Sequence, residues 1–346
     1  MQIDISSLET LLQKADKIVL VGHFNPDGDA IGSVTAAYQY LRSRGKHPRM
    51  ILPSPYPENM SFMEPECRED WIVICEREPD KARALVAQAD LVICLDLNRL
   101  ARTEYLEQDI LSAQAPKVLI DHHIAAELDR FDVAVSTVDV SSTCELLFWV
   151  LMAMPDIAGN VQRIPLRCAE SLYVGMMTDT NNFSNSVLPG TFEMASKLIA
   201  RGVDKNGLQE KVLSCYSVSR TRLMGHMIKD KMKVLPQYQT AYMLLSNKEK
   251  ERYHFQPGDS EGFVNLPLAI ASVKVSALFS ENMDGQYIRV SLRSKGNINV
   301  NQFAMRYFNG GGHHNAAGGR LYMPLEAVPT YFEASLAAWV KEEKFL

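Results

Sequence analysis

Ile18-Val19-Leu20-Val21-Gly22-His23-Phe24-Asn25-Pro26-Asp27-Gly28-Asp29-Ala30-Ile31-Gly32-Ser33 is the stretch from which the fold can be read. Its first four residues are all apolar, the pattern of a parallel strand buried on both faces rather than the alternation of a half-exposed one. Ile31 to Leu41 then repeats with helical period and stops near Gly45, a residue suited to a helix C-terminus. One histidine and two aspartates stand between strand and helix, and Pro26 and Gly28 supply the turn chemistry. Open α/β sheets bind their ligands at the carboxyl ends of their strands. One imidazole and two carboxylates in such a turn make an incomplete metal site. Its other ligands must come from elsewhere in the chain.

Working outward, short apolar runs alternate with amphipathic ones from about residue 5 to 190. Strands are expected at Lys17–Val21, Arg49–Leu52, Trp71–Cys75, Leu91–Leu95 and Lys117–Ile120. Helices are expected at Ile31–Leu41, Asp80–Gln88 (opened by Pro79), Cys144–Ala153 and Ile164–Met177. Strand-helix alternation implies a parallel sheet covered on both faces. Three strands run into polar residues: Val21 into His23, Leu95 into Asp96, and Ile120 into Asp121-His122-His123. Parallel strands share a direction, so these ends can gather along one edge.

The expected organisation is an α/β domain over residues 1–190, a helical linker over 191–233 and a smaller α+β domain over 234–346. In the linker, Ser217–Lys233 carries Arg220, Arg222, Lys229, Lys231 and Lys233. A solvated face is the ordinary explanation of such a charge run, and a cleft-facing basic edge is the other. In the last part, Thr240–Leu245 and the pair Val273–Phe279 and Gln286–Leu292 read as strands, the pair turning at Met283-Asp284-Gly285. A helix at Asn301–Phe308 leads into a glycine-rich loop, Gly310 to Gly319, followed by a strand near Arg320–Met323 and a helix at Leu325–Lys341.

Composition narrows the function. The 346 residues suffice for two hydrophobic cores, and 47% hydrophobic with 22% charged residues is ordinary for a globular protein. A net charge of −5 argues against coating long duplex nucleic acid, which needs many cations against phosphate. A short anion met by metal ions remains compatible with it. The six cysteines form no C-x-x-C pair and read as reduced core residues of a cytoplasmic protein. No signal peptide is evident at the start, and the longest apolar run, Leu146 to Met154, is too short to span a bilayer.

Two constellations carry chemistry. The first is His23, Asp27, Asp29, Asp96, His122, His123 and Asp179, the last in Thr178-Asp179-Thr180 at the end of an apolar helix. Any one group has a plain explanation as loop polarity or a helix cap, but their recurrence at three strand ends favours a metal site. Imidazole and carboxylate without thiolate suit Mn, Fe or Zn. Four carboxylates exceed the need of one divalent ion, whereas two ions about 3.5–4 Å apart with a shared carboxylate suit in-line attack on phosphorus. The second constellation is Gly310 to Gly319 with Ser291-Leu292-Arg293-Ser294. The glycines match neither the P-loop nor the dinucleotide fingerprint. They suit either a close-packed corner or an anion-binding nest. Arg293 with its flanking serines could grip a phosphate, and His313 could stack on a base or donate to phosphate.

Together these motifs resemble the DHH phosphoesterase superfamily: His23–Ser33, Asp96, Asp121-His122-His123 and Thr178-Asp179-Thr180, followed by features of its DHHA1 domain. Those features are Glu261-Gly262-Phe263-Val264-Asn265, Ser291-Leu292-Arg293-Ser294 and Gly310-Gly311-Gly312-His313 through Ala316-Ala317-Gly318. The compact two-domain form is most similar to the branch of bifunctional oligoribonucleases and 3′-phosphoadenosine 5′-phosphate (pAp) phosphatases. The resemblance implies one metal on His23, Asp27 and Asp96 and a second on Asp29, Asp96, His122 and Asp179, with Asp96 bridging. It implies that His123 faces the substrate, that Asp121 orients its neighbours, and that the active site lies in the interdomain cleft. Ser291, Arg293, Ser294, Gly311, Gly312 and His313 would hold the terminal nucleotide; His314 has no assigned role. Relatives often carry Gly where this chain has Asn181, and Asn tolerates the left-handed backbone a Gly there would adopt.

The expected protein is thus a two-metal, Mn²⁺-dependent hydrolase that degrades short single-stranded RNA to mononucleotides and removes the 3′-phosphate of pAp. A homodimer is compatible with the resemblance, and no membrane partner is expected. Hydrolysis of cyclic or linear dinucleotides is the alternative within enzymes. A catalytically silent nucleotide sensor is the alternative outside them.

Overall fold

A computed structural model describes residues 5–64, 71–214 and 216–343. The chain divides into two compact units, Met1–Cys215 and Tyr216–Leu346. The boundary falls inside the segment 191–233 expected as a linker.

The first unit is built on six parallel strands: β1 (Ile18–Val21), β2 (Arg49–Leu52), β3 (Ile72–Ile74), β4 (Leu91–Leu95), β5 (Lys117–Asp121) and β6 (Val133–Ser136). Their order is β3-β2-β1-β4-β5-β6. Its helices are α1 (Ser6–Lys14), α2 (Gly28–Ser43), α3 (Pro79–Ala87), α4 (Glu107–Ser112), α5 (Thr143–Ala153), α6 (Leu166–Asp179), α7 (Pro189–Arg201) and α8 (Lys205–Leu213). Alternation along the strands feeds two cores. Ile18, Leu20, Ile93 and Leu95 pack with residues of α2, α5 and α6, while Val19, Val21, Val92 and Cys94 pack with Ala82 and Val86 of α3 and Ile110 of α4. This is why the strands read as unbroken apolar runs. β6 escaped the sequence because it is a half-exposed edge strand with no such run.

The strand order reverses between β1 and β4, which are hydrogen-bonded neighbours. A crevice opens at the carboxyl ends of strands at such a reversal. His23 follows β1 and Asp96 follows β4, so the fold brings these two residues to the crevice.

Helices α2 and α6 meet backbone to backbone behind it. A Cβ on Gly32 would stand 2.8 Å from the Ser171 carbonyl oxygen and 3.0 Å from Cα of Gly175. A Cβ on Gly175 would stand 2.2 Å from Sγ of Cys144 and 2.9 Å from Oδ1 of Asp29. The glycines therefore set how closely Asp29 can be backed by α6.

The connector residues distribute over both units. Met194 and Leu198 of α7 and Leu208 and Val212 of α8 belong to the first core. α9 (Val218–His226) gives Leu223 to a core of the second unit. Arg220 corrects the solvated-face explanation at its own position: it is buried, stacks 3.3 Å from the Tyr216 ring centre and donates to the Glu261 carbonyl at 2.7 Å.

The second unit has strands β7 (Lys233–Leu235), β8 (Thr240–Leu245), β9 (Val275–Glu281), β10 (Ile288–Ser294), β11 (Gly311–Gly312) and β12 (Ala316–Leu321). They form one sheet in the order β11-β12-β10-β9-β8-β7, antiparallel except for β8 on β9. Helices α10 (Asn247–Arg252), α11 (Val300–Tyr307) and α12 (Val328–Glu343) complete it. Aromatic packing fills its core, with Phe303 stacked on Trp339 at 4.2 Å between ring centres. The glycine-rich stretch expected as a loop forms β11 and β12, closed by a turn in which His313 and Ala316 exchange backbone hydrogen bonds. Glycine permits that pairing: a Cβ on Gly310 would fall 1.8 Å from the Gly318 carbonyl oxygen.

Cys75, Cys94, Cys144 and Cys168 are buried free thiols, and Cys67 and Cys215 lie outside the described residues. Among the described residues no helix is long and apolar enough to cross a membrane.

The α2–α6 contact yields a stability test. Gly32→Ala should lower unfolding free energy by about 1–3 kcal/mol through overpacking against backbone that cannot yield. The urea midpoint would fall accordingly. An unchanged midpoint would mean that the two helices separate freely.

Candidate metal centre

The local folding of the first motif places its donors. Asp27 is the N-cap of α2, with Oδ1 accepting from the backbone N–H of Asp29 at 3.0 Å and of Ala30 at 3.1 Å. This holds the His23–Asp29 turn in one shape and puts Asp29 in the first helical turn. His23 Nδ1 lies 2.8 Å from the carbonyl oxygen of Phe24. Only an N–H can bond a carbonyl, so Nδ1 carries a proton and Nε2 is the nitrogen whose lone pair a ligand can take once its own proton is lost.

Nε2 of His23 is buried and has no hydrogen-bond partner. It lies 3.5 Å from Oδ2 of Asp96 and 3.8 Å from Oδ1 of Asp27. Nε2 of His122 lies 3.8 Å from Asp29, 3.7 Å from Asp96 and 3.6 Å from Asp179. These spacings are too long for hydrogen bonds. They are close to the roughly 3.0–3.7 Å that separates two donors each about 2.1 Å from a common cation. Two of the donor groups among the described residues are His23 with Asp27 and Asp96, and Asp29 with Asp96 and His122, and Asp96 belongs to both. An orphaned buried imidazole nitrogen facing carboxylates at ligand spacing fits a metal ion.

Asp96 is buried and has a left-handed backbone, φ 62°. Its Oδ1 accepts from the hydroxyl of Thr143 at 2.9 Å. Asp29, also buried, is gripped by the start of α5: Oδ2 accepts from the N–H of Thr143 at 2.7 Å and Oδ1 from that of Cys144 at 2.9 Å. Sequence reading missed Thr143. Its signal was the Ser142-Thr143 cap at the head of an apolar helix.

Without a cation the charges are in conflict. Burial and the fields of Asp96, Asp179 and Asp27 hold the Asp29 carboxyl well above its usual range. Asp96 is driven the other way: burial raises it, but the surrounding histidines His23, His123 and His122 bring it well below that range. Burial and the Arg102 guanidinium lower the His23 pKa, yet the attraction of Asp27 and Asp96 outweighs both and raises it to about 9. Burial lowers that of His122.

Asp121 and His123 pair with each other beside Asp96, whose Oδ1 lies 3.7 Å from Nδ1 of His123. Asp121 accepts the His123 N–H at 3.0 Å and lies 2.7 Å from its Nδ1. Arg102, which sequence reading also missed, places Nη1 3.0 Å from Nε2 of His123. A guanidinium can only donate, so Nε2 is the acceptor and Nδ1–H donates to Asp121. The tautomer is thereby fixed from both sides.

In the second unit, Ser291 pairs with Gly318 and Gly318 with Gly311, while Arg293 pairs with Ala316. Ser291, Arg293, Gly311, Gly312 and His313 thus share one end of the sheet. Ser294 departs from its expected use. Its hydroxyl donates to the Ile298 carbonyl at 2.6 Å and accepts from Asn315 at 2.9 Å, leaving no proton for a ligand. Asn181 takes the left-handed backbone anticipated for it, φ 47°.

The doubly wound sheet with acidic and imidazole donors at its switch point marks the first unit as an α/β domain with a candidate divalent-metal centre. A family model described as "DHH family, N-terminal domain" matches residues 17–176, and one described as "DHHA1 domain" matches residues 237–341. The chain belongs to the DHH family of phosphoesterases and carries a DHHA1 domain as its second unit. A crystal structure of an exopolyphosphatase-related protein from Bacteroides fragilis is 37% identical, with TM-score 0.90 over 98% of this chain and 97% of that one. A probable bifunctional oligoribonuclease and PAP phosphatase NrnA of Streptococcus mutans is 26% identical over 95% of this chain and 98% of its own length. A cyclic-di-AMP phosphodiesterase GdpP of Geobacillus thermodenitrificans is 25% identical over 94% of this chain, which spans only 49% of that relative.

Three outcomes follow from the geometry. At pH 7.5 the metal-free His23, with its pKa raised to about 9, is protonated, and ligation requires the neutral ring. Manganese binding should therefore release protons, seen calorimetrically as heats that differ between buffers of different ionisation enthalpy; buffer-independent heats would refute it. The same attraction contributes to metal-free stability fully below pH 6.5 and is lost as pH rises through about 9. Thr143→Val should weaken metal binding by roughly 10–100-fold, as removal of an outer-shell donor does, while Thr143→Ser largely restores it.

Proposed function

We propose that this protein is a two-metal, manganese-dependent phosphoesterase that hydrolyses short RNA oligonucleotides and removes the 3′-phosphate of pAp. The observation that carries the proposal is Asp96, shared by both donor groups and buried at the switch point of the sheet. His23, Asp27 and Asp96 would hold one ion, and Asp29, Asp96, His122 and Asp179 the other. When bound, such a pair supplies Lewis acidity and a nucleophile at neutral pH.

The remaining roles belong to the chain's own groups. The α5 amides and Thr143 keep Asp29 and Asp96 from turning away, which would hold the ions in register with the reacting phosphorus. Asp121 keeps His123 in one orientation, with Nε2 directed to the substrate side in this proposal. Protonated at Nε2, the ring would from there stabilise phosphoryl charge or assist the leaving group. The DHHA1 unit would contribute Ser291, Arg293, the glycine hairpin and His313 to nucleotide binding. Ser294 is left out, since its hydroxyl is committed to the Ile298 turn.

The Streptococcus mutans relative, named as a probable bifunctional oligoribonuclease and PAP phosphatase and matched over nearly its whole length, supports the oligoribonuclease and pAp activities. The second reading is hydrolysis of cyclic dinucleotides, supported by the GdpP relative, of which this chain matches about half.

The test is turnover of RNAs of two, five and twenty nucleotides, pAp and cyclic di-AMP with manganese. Rates should fall with RNA length, and pAp should be dephosphorylated. Cyclic di-AMP as the preferred substrate would establish the second reading instead. Asp96→Asn should lose activity on every substrate, by more than the roughly 10–100-fold of an outer-shell change, and should bind fewer than two ions. A variant with two ions and a near-normal rate would remove Asp96 from the centre.

A further inference from the structure

Arg102 lies in the 3-10 segment Leu100–Leu106, just beyond the strand end that carries Asp96. Its Nη1 contacts Nε2 of His123 at 3.0 Å and the backbone carbonyl of Asp96 at 3.4 Å. Among the described residues these are its side chain's only hydrogen-bond partners, and it forms no ion pair there. An arginine beside so much negative charge would ordinarily pair with a carboxylate in a two-pronged bond. Here the carboxylates are turned elsewhere: Asp121 to His123, Asp29 to the α5 amides, Asp96 to Thr143 and the histidines. The guanidinium is half-buried, and its field reaches far enough to lower the pKa of His23.

Two divalent ions would be offset by the four carboxylates of the adjacent centre, Asp27, Asp29, Asp96 and Asp179, which leaves the charge of Arg102 without a carboxylate of its own. An anion that touches both the ions and the guanidinium would supply that missing counter-charge. A phosphoryl group is that anion, and its tetrahedral oxygens match the guanidinium fork. The hydrogen bond to a neutral imidazole is the weaker interaction, and a phosphate oxygen can displace it.

We propose that Arg102 binds a non-bridging oxygen of the substrate's phosphoryl group, and that its contact with His123 is the position it holds before substrate arrives. The proposal rests on the phosphoesterase reading of this centre, and it assigns to the first unit a phosphate contact of its own. Such a contact acts on the reacting phosphate whatever nucleotide is attached.

Inorganic phosphate is the probe. The full-length protein is loaded with manganese, its metal content is measured, and phosphate binding is followed as competitive inhibition of a small chromogenic phosphodiester and by calorimetry. Arg102→Gln should weaken phosphate binding tenfold or more with manganese stoichiometry and thermal midpoint unchanged. Arg102→Lys, which keeps the charge and loses the fork, should fall between, and it carries the test if the glutamine variant does not fold. Phosphate bound equally by wild type and Arg102→Gln would overturn the proposal. So would loss of manganese from the variant, which would make Arg102 a support of the metal centre, or absence of phosphate binding to the loaded wild type. Calorimetry needs no turnover. Failure of the protein to hydrolyse any nucleotide would therefore count against the substrate reading alone.

Discussion

Buried negative charge is the constraint around which the first unit is arranged. Asp29, Asp96 and Asp121 are almost wholly withdrawn from solvent, and an uncompensated buried charge costs several kcal/mol. Each is answered by a different device. Asp121 has the backbone N–H and ring of His123, Asp29 has the two amides at the head of α5, and Asp96 has Thr143 and three imidazoles. These devices neutralise only part of the charge. The remainder lies around His23 Nε2, which has no hydrogen-bond partner, where the donors are spaced to take up a cation.

Holding the answers in place requires a further layer. The loop that presents the α5 amides is fixed by Glu145, whose Oε2 accepts from the N–H of Ser141 at 2.9 Å, its hydroxyl at 2.6 Å and the hydroxyl of Thr191 at 2.7 Å. Thr191 lies in the first turn of α7. The helix that begins the connector is therefore tied, through one hydrogen bond from Thr191 to Glu145, to the loop on which Asp29 depends. Rigid support of this kind separates a site with ligands at usable spacing from a loose cluster of acids.

Much of this was legible in the sequence, for identifiable reasons. Strands β1, β4 and β5 are buried on both faces, so apolar runs mark them, and the polar residues that end them are the site. The edge strand β6 and the two strands made from glycines carry no such mark. β6 is half-exposed, and β11 and β12 pair through close backbone approach rather than side-chain pattern. Thr143 and Arg102 were hidden because their partners lie far away in the chain and meet them only through the strand order. Ser294 was overread for the same cause: a serine beside an arginine suggests an anion, and only the folded turn shows its hydroxyl already engaged.

The left-handed backbone at Asp96 has a consequence for which residues this position can accept. Gly, Asn and Asp are the side chains that enter that conformation most readily, and of these only Asp carries charge. Glutamate, the customary conservative exchange, would bring a longer arm and a backbone cost together, and the carboxylate would overshoot a space set by histidines on either side. Asparagine preserves shape and backbone and discards only the charge. The geometry of one peptide unit thus makes the position intolerant of the substitution that general similarity tables would call mildest. It also makes Asn the replacement that isolates electrostatics from everything else.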